Sequence, residues 1–209
     1  KIDAVTFDGA GGGTGMSPVP MMDEMGTPTV YLEAQVLKCA EILRKKGKHV
    51  PDLIIAGGFI NETQIFKAIA MSNFGDGPYI KAILMGRSPV TAVMKAEYFY
   101  ELSEKGKLPQ EFRKRYGETP DKFFITTPEL RRVYEERFKE IPWGAVGLYT
   151  YLTSRVGVGL KQLMAGARKW KLNLLDRSDL ASLTERAAKA TGIPLIEEIE
   201  QDAIERILE

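Results

Sequence analysis

The sequence has very little of two residues on which many protein classes depend. It contains one cysteine and one histidine in 209 residues. A single thiol cannot form an internal disulfide bond, and it excludes a metal site built mainly from thiolates of this chain. Without disulfide bonds, and without a secretory signal pattern at its start, the chain is expected in a reducing cytoplasm.

The charge balance and the hydropathy exclude two kinds of partner. The 29 basic and 28 acidic residues give a formal net charge of +1, so there is no electrostatic reason to expect nucleic acid as the main partner. No apolar run approaches the roughly 20 residues that span a bilayer, so no membrane partner is expected. With 44% hydrophobic residues, the chain can form one domain of ordinary size, or a domain with an extension.

Neither the cysteine nor the histidine lies in a catalytic pattern. His49 lies in a Lys-Gly-Lys-His-Val turn just before an apolar run, and we expect it on the surface. Cys39 lies one position from the apolar face of a helix, where a buried structural thiol is expected. The sequence contains no Ser-His-Asp set that we can identify, so the catalytic residues are unknown and no metal site is predicted.

The chain begins at Lys1 without a methionine and enters an apolar strand almost at once. We therefore expect it to be a fragment of a longer protein. Strand and helix patterns then alternate: apolar runs at 2–8, 52–56 and 80–85 predict strands, and helical periodicity follows each run. This alternation predicts an α/β fold of three βα units with parallel strands and right-handed crossovers.

Glycines follow two successive strands, and the spacing predicts a phosphate site. Gly57 and Gly58 follow the second strand, and Gly86 and Arg87 follow the third. In a (βα)8 barrel, the loops after strands seven and eight present backbone N–H groups to a phosphate. Glycine permits close approach and positive φ, and the planar guanidinium of Arg87 suits phosphate oxygens. One glycine pair alone would indicate an ordinary turn, but two such loops about thirty residues apart favour phosphate binding.

The glycine-rich run after the first strand is the most specific motif, because it is long and ordered: Gly12-Gly13-Thr14-Gly15, then Ser17-Pro18. With residues 35–37, 57–59 and 85–87, it resembles the FMN-binding synthase barrel of the glutamate synthase family. The resemblance covers residues 1 to about 100. It implies the last three βα units of a (βα)8 TIM barrel, the first five lying outside this chain. Residues 1–107 are thus expected to be the C-terminal part of the barrel.

The resemblance implies an FMN-dependent oxidoreductase of glutamate biosynthesis. Such an enzyme reduces 2-iminoglutarate, formed from 2-oxoglutarate and ammonia, to L-glutamate. In this interpretation Gly57, Gly58, Gly86 and Arg87 hold the FMN phosphate. The glycine-rich loop, including Gly12, Gly13 and Thr14, lies beside the flavin at the C-terminal rim of the barrel, and Met16 and Gln35 face substrate or flavin.

The sequence departs from the family pattern at several positions. Ala10 and Gly11 stand where the family usually shows His and Asp, and Ala56 replaces an acidic residue. Residues 88–125 contain no cysteine, so this chain is not expected to bind an iron–sulfur cluster. Electrons would then arrive through a partner subunit or through the missing N-terminal barrel half. Two alternatives stay open: another FMN reaction on a glutamate-like substrate, such as N-methylglutamate synthesis, or a non-catalytic fragment for flavin binding or assembly.

Residues 108–209 are predicted to form a mainly helical extension. It is expected to pack on the barrel or on a partner subunit, and docking of this tail in a homo-oligomer is the favoured interpretation. Within it, residues 156–159 are predicted to open a helix, and Ser178 to cap another that ends at Gly192 and Pro194.

Overall fold

The structure is a computed structural model that describes residues 2–13 and 16–208. It divides into two compact units, which are described separately. The first consists of Lys1–Met85 together with Gln162–Glu209, and the second of Gly86–Lys161. The helix that begins at Arg87 belongs to the second unit, and the division at residue 107 stays a prediction.

A three-stranded parallel sheet forms the centre of the first unit. The strands are β1 (Ala4–Asp8), β2 (Asp52–Ala56) and β3 (Ile80–Leu84), in the order β1-β2-β3. Ala4 pairs with Asp52, and Leu53 pairs with Ile80 before a register irregularity. The predicted α/β fold with parallel strands is confirmed, and the barrel itself stays a prediction.

Helices connect these strands: α1 (Val19–Asp23) and α2 (Thr29–Lys45) follow β1, and α3 (Glu62–Met71) follows β2. At the start of α3, the Asn61 side chain accepts a hydrogen bond from the Gln64 backbone N–H at 3.0 Å. The Gln64 side chain accepts one from the Ile60 N–H at 2.7 Å. The two bonds resemble a capping box, with the Ile60 N–H in the place of the cap residue's own N–H.

The core of the first unit lies along β2. Ile55 and Ala56 of this strand are buried, as are Leu37 of α2 and Ala70 of α3. The edge strands are covered less: β1 alternates exposed and half-buried residues, and Leu84 at the end of β3 is exposed. Burial is thus greatest in β2, the central strand of the sheet.

The second unit is helical. Its helices are α4 (Arg87–Glu104), α5 (Gln110–Tyr116), α6 (Pro120–Phe123), α7 (Thr127–Tyr134) and α8 (Trp143–Tyr149). A 3₁₀ turn, Glu135–Glu140, precedes α8. Gly147 permits close packing of α8 on α4, because a Cβ there would lie 2.2 Å from the Ala96 Cβ. Phe124, Leu130, Phe138 and Val146 complete the buried cluster around Ala96.

Helix α8 continues into a π-helical segment, Thr150–Gly157, and then into α9 (Val158–Gly166). Residues 156–159 therefore lie inside a longer helix, and the prediction that they open one is wrong. None of the described helices is long and apolar enough to cross a membrane.

The last part of the first unit begins with two 3₁₀ turns, Leu172–Leu174 and Arg177–Asp179, and ends with α10 (Glu185–Thr191) and α11 (Ile196–Leu208). Ser178 does not cap a long helix as predicted. Asp176 caps the second turn, and the Thr184 side chain caps α10 by accepting from the Ala187 N–H at 3.2 Å. Gly192, with φ 68°, ends α10 as predicted.

Candidate functional site: the glycine loops at the carboxyl edge of the sheet

The loop after β1 is held by its own backbone hydrogen bonds. The N–H groups of residues 9–12 donate to the carbonyl oxygens of Ala56, Thr27, Met22 and Gly9, in that order, at 2.7–3.0 Å. These donors satisfy protein carbonyls, so this loop shapes a wall of the candidate site more than it offers N–H groups to an anion.

Several glycines here are required by packing around Thr29, the first residue of α2. The Thr29 hydroxyl donates to the Gly57 carbonyl oxygen at 2.7 Å. A Cβ at Gly9 would lie 2.4 Å from the Thr29 Oγ1 atom, and a Cβ at Gly57 would lie 2.5 Å from it. The start of α2 thus holds the loops after β1 and β2 together. Sequence reasoning missed Thr29, whose partners lie 19 to 28 residues away along the chain.

Gly58 differs from these packing glycines. Its φ is +79°, and a Cβ built on it meets no heavy atom within 4 Å. Gly11, with φ +85°, lies beside it, since a Cβ there would be 3.9 Å from the Gly58 Cα. The structure therefore brings the loops after β1 and β2 together and leaves open space next to Gly58, where a ligand can approach the backbone.

The other loop glycines have structural neighbours. A Cβ at Gly12 would lie 2.0 Å from the Asp8 Oδ1 atom, and one at Gly13 would lie 2.8 Å from the Met22 Cγ atom. The positive φ of Gly13 favours glycine there, and a Cβ at either position would require the Asp8 or the Met22 side chain to shift. Thr14, the remaining predicted residue of this loop, lies outside the described residues.

Gly86 and Arg87 lie in the second unit, where they begin α4. Gly86 is the N-cap, with φ −96°, so this turn does not use the positive φ expected for it. The helix starts at Arg87, and Ser88 and Pro89 lie inside its first turn. A phosphate site shared by Gly57, Gly58, Gly86 and Arg87 stays a prediction.

The predicted substrate contacts are on the surface. Met16 is 94% exposed, and Gln35 is exposed on α2. Cys39 is also exposed, so the prediction of a buried thiol is wrong; the buried stripe of α2 runs through Leu37 and Ala40 beside it. His49 is exposed as predicted.

A cavity of about 370 Å³ lies behind Gly57 and Gly58. Its wall includes Glu33 of α2, which is only 3% exposed and whose Oε1 atom has no hydrogen-bond partner among the described residues. Burial raises the pKa of Glu33 from 4.5 to about 9. Sequence reasoning missed this residue, although its position four residues before Leu37 places it on the buried face of α2.

A second polar cluster lies at the far end of α2. The Tyr79 hydroxyl donates to the Glu41 carboxylate at 2.6 Å, and Arg44 pairs with the same carboxylate at 3.1 Å. Burial, together with the bond to Glu41, raises the pKa of Tyr79 to about 12. Within the described part of the chain, no group of three or more His, Cys, Asp or Glu side chains is placed to hold a metal ion.

Known proteins match the first part of the chain. Residues 1–80 match the family model described as a conserved region in glutamate synthase. Over this segment the chain is similar to glutamate synthases. This confirms the resemblance identified from the sequence. The matched segment contains the loops after β1 and β2, but it ends before Gly86 and Arg87.

Two relatives show how much of the chain is shared. The archaeal-type glutamate synthase [NADPH] of Thermotoga maritima is 35% identical over 79 residues, which are 37% of this chain and 15% of the relative. The protein of the same name from Dehalococcoides mccartyi is 37% identical over 70 residues, which are 33% of this chain and 13% of the relative. The chain thus spans about one seventh of the length of these glutamate synthases. No solved structure gives a significant match.

Proposed function

We propose that this chain supplies the C-terminal βα units of an FMN-binding (βα)8 barrel with glutamate synthase-type oxidoreductase activity. The observation that carries the proposal is the meeting of two glycine loops at the carboxyl edge of a parallel sheet, within the segment that matches the family. The strand order β1-β2-β3 supports it, because consecutive strands are neighbours in such a barrel.

The residues present fit a flavin phosphate at one of the two loops. Gly58 combines positive φ with open space, and α3 begins at Glu62, a few residues later. The N–H groups of residues 9–12 are satisfied by carbonyls, so Gly11, Gly12 and Gly13 would shape the wall against the flavin ring. Gly86, Arg87, Thr14, Met16 and Gln35 are proposed contacts of the assembled barrel.

When bound, FMN would supply the two-electron reduction of 2-iminoglutarate to L-glutamate. The task of this chain is then to hold the phosphate and to keep side chains away from the flavin. Because the relatives are named for NADPH, we infer NADPH as the ultimate electron source, acting through a partner subunit or the N-terminal barrel half.

A second candidate function is flavin binding or assembly without catalysis. It is favoured by Ala10, Gly11 and Ala56, which offer no polar side chain to a substrate at the edge where the family usually has polar residues. Turnover measured on the complete protein, as NADPH oxidation that requires both 2-oxoglutarate and ammonium, separates this candidate from the enzyme.

Flavin binding is tested with a pair of matched glycine variants. Gly58 and Gly47 both have positive φ, at +79° and +64°, and both have open space where a Cβ would lie. Valine causes similar backbone strain at either position, but only Gly58 lies at the candidate site. We expect Gly58→Val to weaken FMN binding at least tenfold in a flavin-fluorescence titration and Gly47→Val to leave it unchanged. Equal FMN affinity in the two variants would contradict the proposal.

A further inference from the structure

Glu33 is a buried acid whose Oε1 atom has no hydrogen-bond partner among the described residues. It lies on α2 between the buried side chains of this helix, and its carboxyl group forms no hydrogen bond with any described residue. A buried polar group without a partner costs free energy, so such groups mark places where a ligand or water completes the hydrogen bonds. Glu33 also faces a cavity, which gives such a ligand room.

The cavity is built mostly from apolar side chains. Helix α3 contributes Met71, and the segment that leads into and through α10 contributes Leu183 and Ile193. Among the described lining residues, the second ionisable group is Lys67, which is exposed at the rim. A volume of about 370 Å³ is within the range of small-molecule sites.

We propose that this cavity binds an uncharged small molecule that presents a primary carboxamide to Glu33 and an apolar body to the remaining wall. A protonated carboxyl group has an O–H donor next to a C=O acceptor, and a carboxamide has an N–H donor next to a C=O acceptor. The two groups therefore form a pair of hydrogen bonds without charging either partner. The cavity borders Gly57 and Gly58 of the proposed flavin site, and the carboxamide is assigned from Glu33 and the apolar wall alone.

The charge state of Glu33 favours a neutral ligand over an ammonium ion. Burial raises the pKa of Glu33 to about 9, so the group is protonated at neutral pH. Of the charged groups on the neighbouring elements, Lys67 is at the rim and the Arg186 guanidinium lies 5.4 Å from the centre of the Tyr31 ring. An ammonium ligand would have to lose its hydration shell, and Glu33 would have to release its proton to solvent before the two could form an ion pair. The attraction within a buried ion pair does little more than offset that cost.

The test compares benzamide with benzylamine as probes of the intact chain, by isothermal titration calorimetry. We expect benzamide to bind with an affinity that is constant from pH 6 to pH 8 and falls about tenfold per unit above the Glu33 pKa, as the carboxyl group ionises. Benzylamine is expected to bind at least tenfold more weakly than benzamide at pH 7. The opposite order, or an affinity for benzamide that rises above pH 9, would overturn the proposal.

Two substitutions of Glu33 separate recognition from packing. Glu33→Gln keeps a donor next to an acceptor and is expected to retain benzamide binding, but without the loss at high pH. Glu33→Leu keeps the volume and removes both groups, so we expect at least a tenfold loss. Glu41→Leu, on the same helix outside the cavity, is the matched control. If Glu33→Leu does not fold, the test is the pH dependence of benzamide affinity in wild type and in Glu33→Gln. Identical pH dependence in the two proteins would refute the role of the carboxyl group.

Discussion

The buried acid Glu33 should make the stability of the protein depend on pH. Its pKa is about 9 in the folded state against an ordinary value of 4.5, so between these values the folded chain binds more protons than the unfolded chain. The free energy of unfolding must then fall as the pH rises through this window. We expect Glu33→Gln, which cannot ionise, to stabilise the protein at pH 7 by on the order of 3 kcal/mol.

Urea unfolding at several pH values between 4 and 9 measures this effect. Wild type and Glu33→Gln should differ least at the acidic end, where Glu33 is protonated in both states, and should diverge as the pH rises. Glu41→Gln is the control, because Glu41 has its pKa lowered in the folded state, despite some burial, by bonds to Arg44 and Tyr79. Parallel curves for wild type and Glu33→Gln would show that the Glu33 carboxyl is not kept neutral by burial.

Single residues also show where sequence reasoning ends. The pattern predicted that Gly57 and Gly58 have a special backbone, and both have positive φ. The pattern could not show that the two glycines are needed for different reasons. Gly57 is needed because Thr29 packs against it, whereas Gly58 borders open space. The difference depends on a residue 28 positions away, which no local motif reveals.

Among the elements, the connection from α3 to β3 holds the C-terminal segment of the first unit. The Asn73 side chain donates to the carbonyl oxygens of Asn173 and Leu175, at 3.2 and 2.7 Å, and accepts from the N–H groups of Gly75 and Gly77. Asn73 is buried, so its loss leaves buried backbone groups without partners. We expect Asn73→Ala to lower the free energy of unfolding by about 3 kcal/mol, as measured in urea.

The matched control is Asn61→Ala at the start of α3. Asn61 also bonds backbone through its side chain, but it caps one helix at a partly exposed position, so a loss of about 1 kcal/mol is expected. A loss for Asn73→Ala no greater than that for Asn61→Ala would mean that the C-terminal segment does not depend on Asn73.

The elements that sequence predicted best are those with local signals. The three strands, α2 and the capped start of α3 all follow from apolar periodicity and cap residues. The start of α10 was predicted wrongly, because Leu180 and Leu183 have helical spacing with Ala187 but precede the helix and line a cavity. Ser182 is instead held by Pro194 and Ile196, through backbone bonds of 2.8 and 3.0 Å that a local pattern cannot show.

At the scale of the whole molecule, the family match and the compact units divide the chain at nearly the same place. The match ends at residue 80. The first stretch of the first unit ends at Met85, just after β3, and its second stretch begins at Gln162. Sequence periodicity found the three βα patterns but assigned α4 to the barrel part. Helix α4 packs against α8, about 50 residues later, and the close approach depends on the small size of Ala96 and Gly147.

The edges of the sheet lead to a prediction for the intact chain. Within the described residues, β1 and β3 each pair with β2 alone, so each has one edge without a neighbouring strand. Leu84 on β3 is 51% exposed, and an apolar edge strand of this kind favours pairing with another chain. The homo-oligomer expected from the sequence would then form at the sheet edge instead of through the helical tail.

We expect the purified chain to self-associate with increasing concentration, and Leu84→Lys to shift it toward the monomer, because a lysine at an edge opposes strand pairing. Val133→Lys is the matched control: Val133 is 61% exposed on α7, which belongs to the second unit, and receives the same change in charge and polarity. Light scattering coupled to size exclusion, over a range of concentrations, gives the mass of each variant. A monomeric wild type, or an equal fall in mass for the two variants, would place association away from the β3 edge.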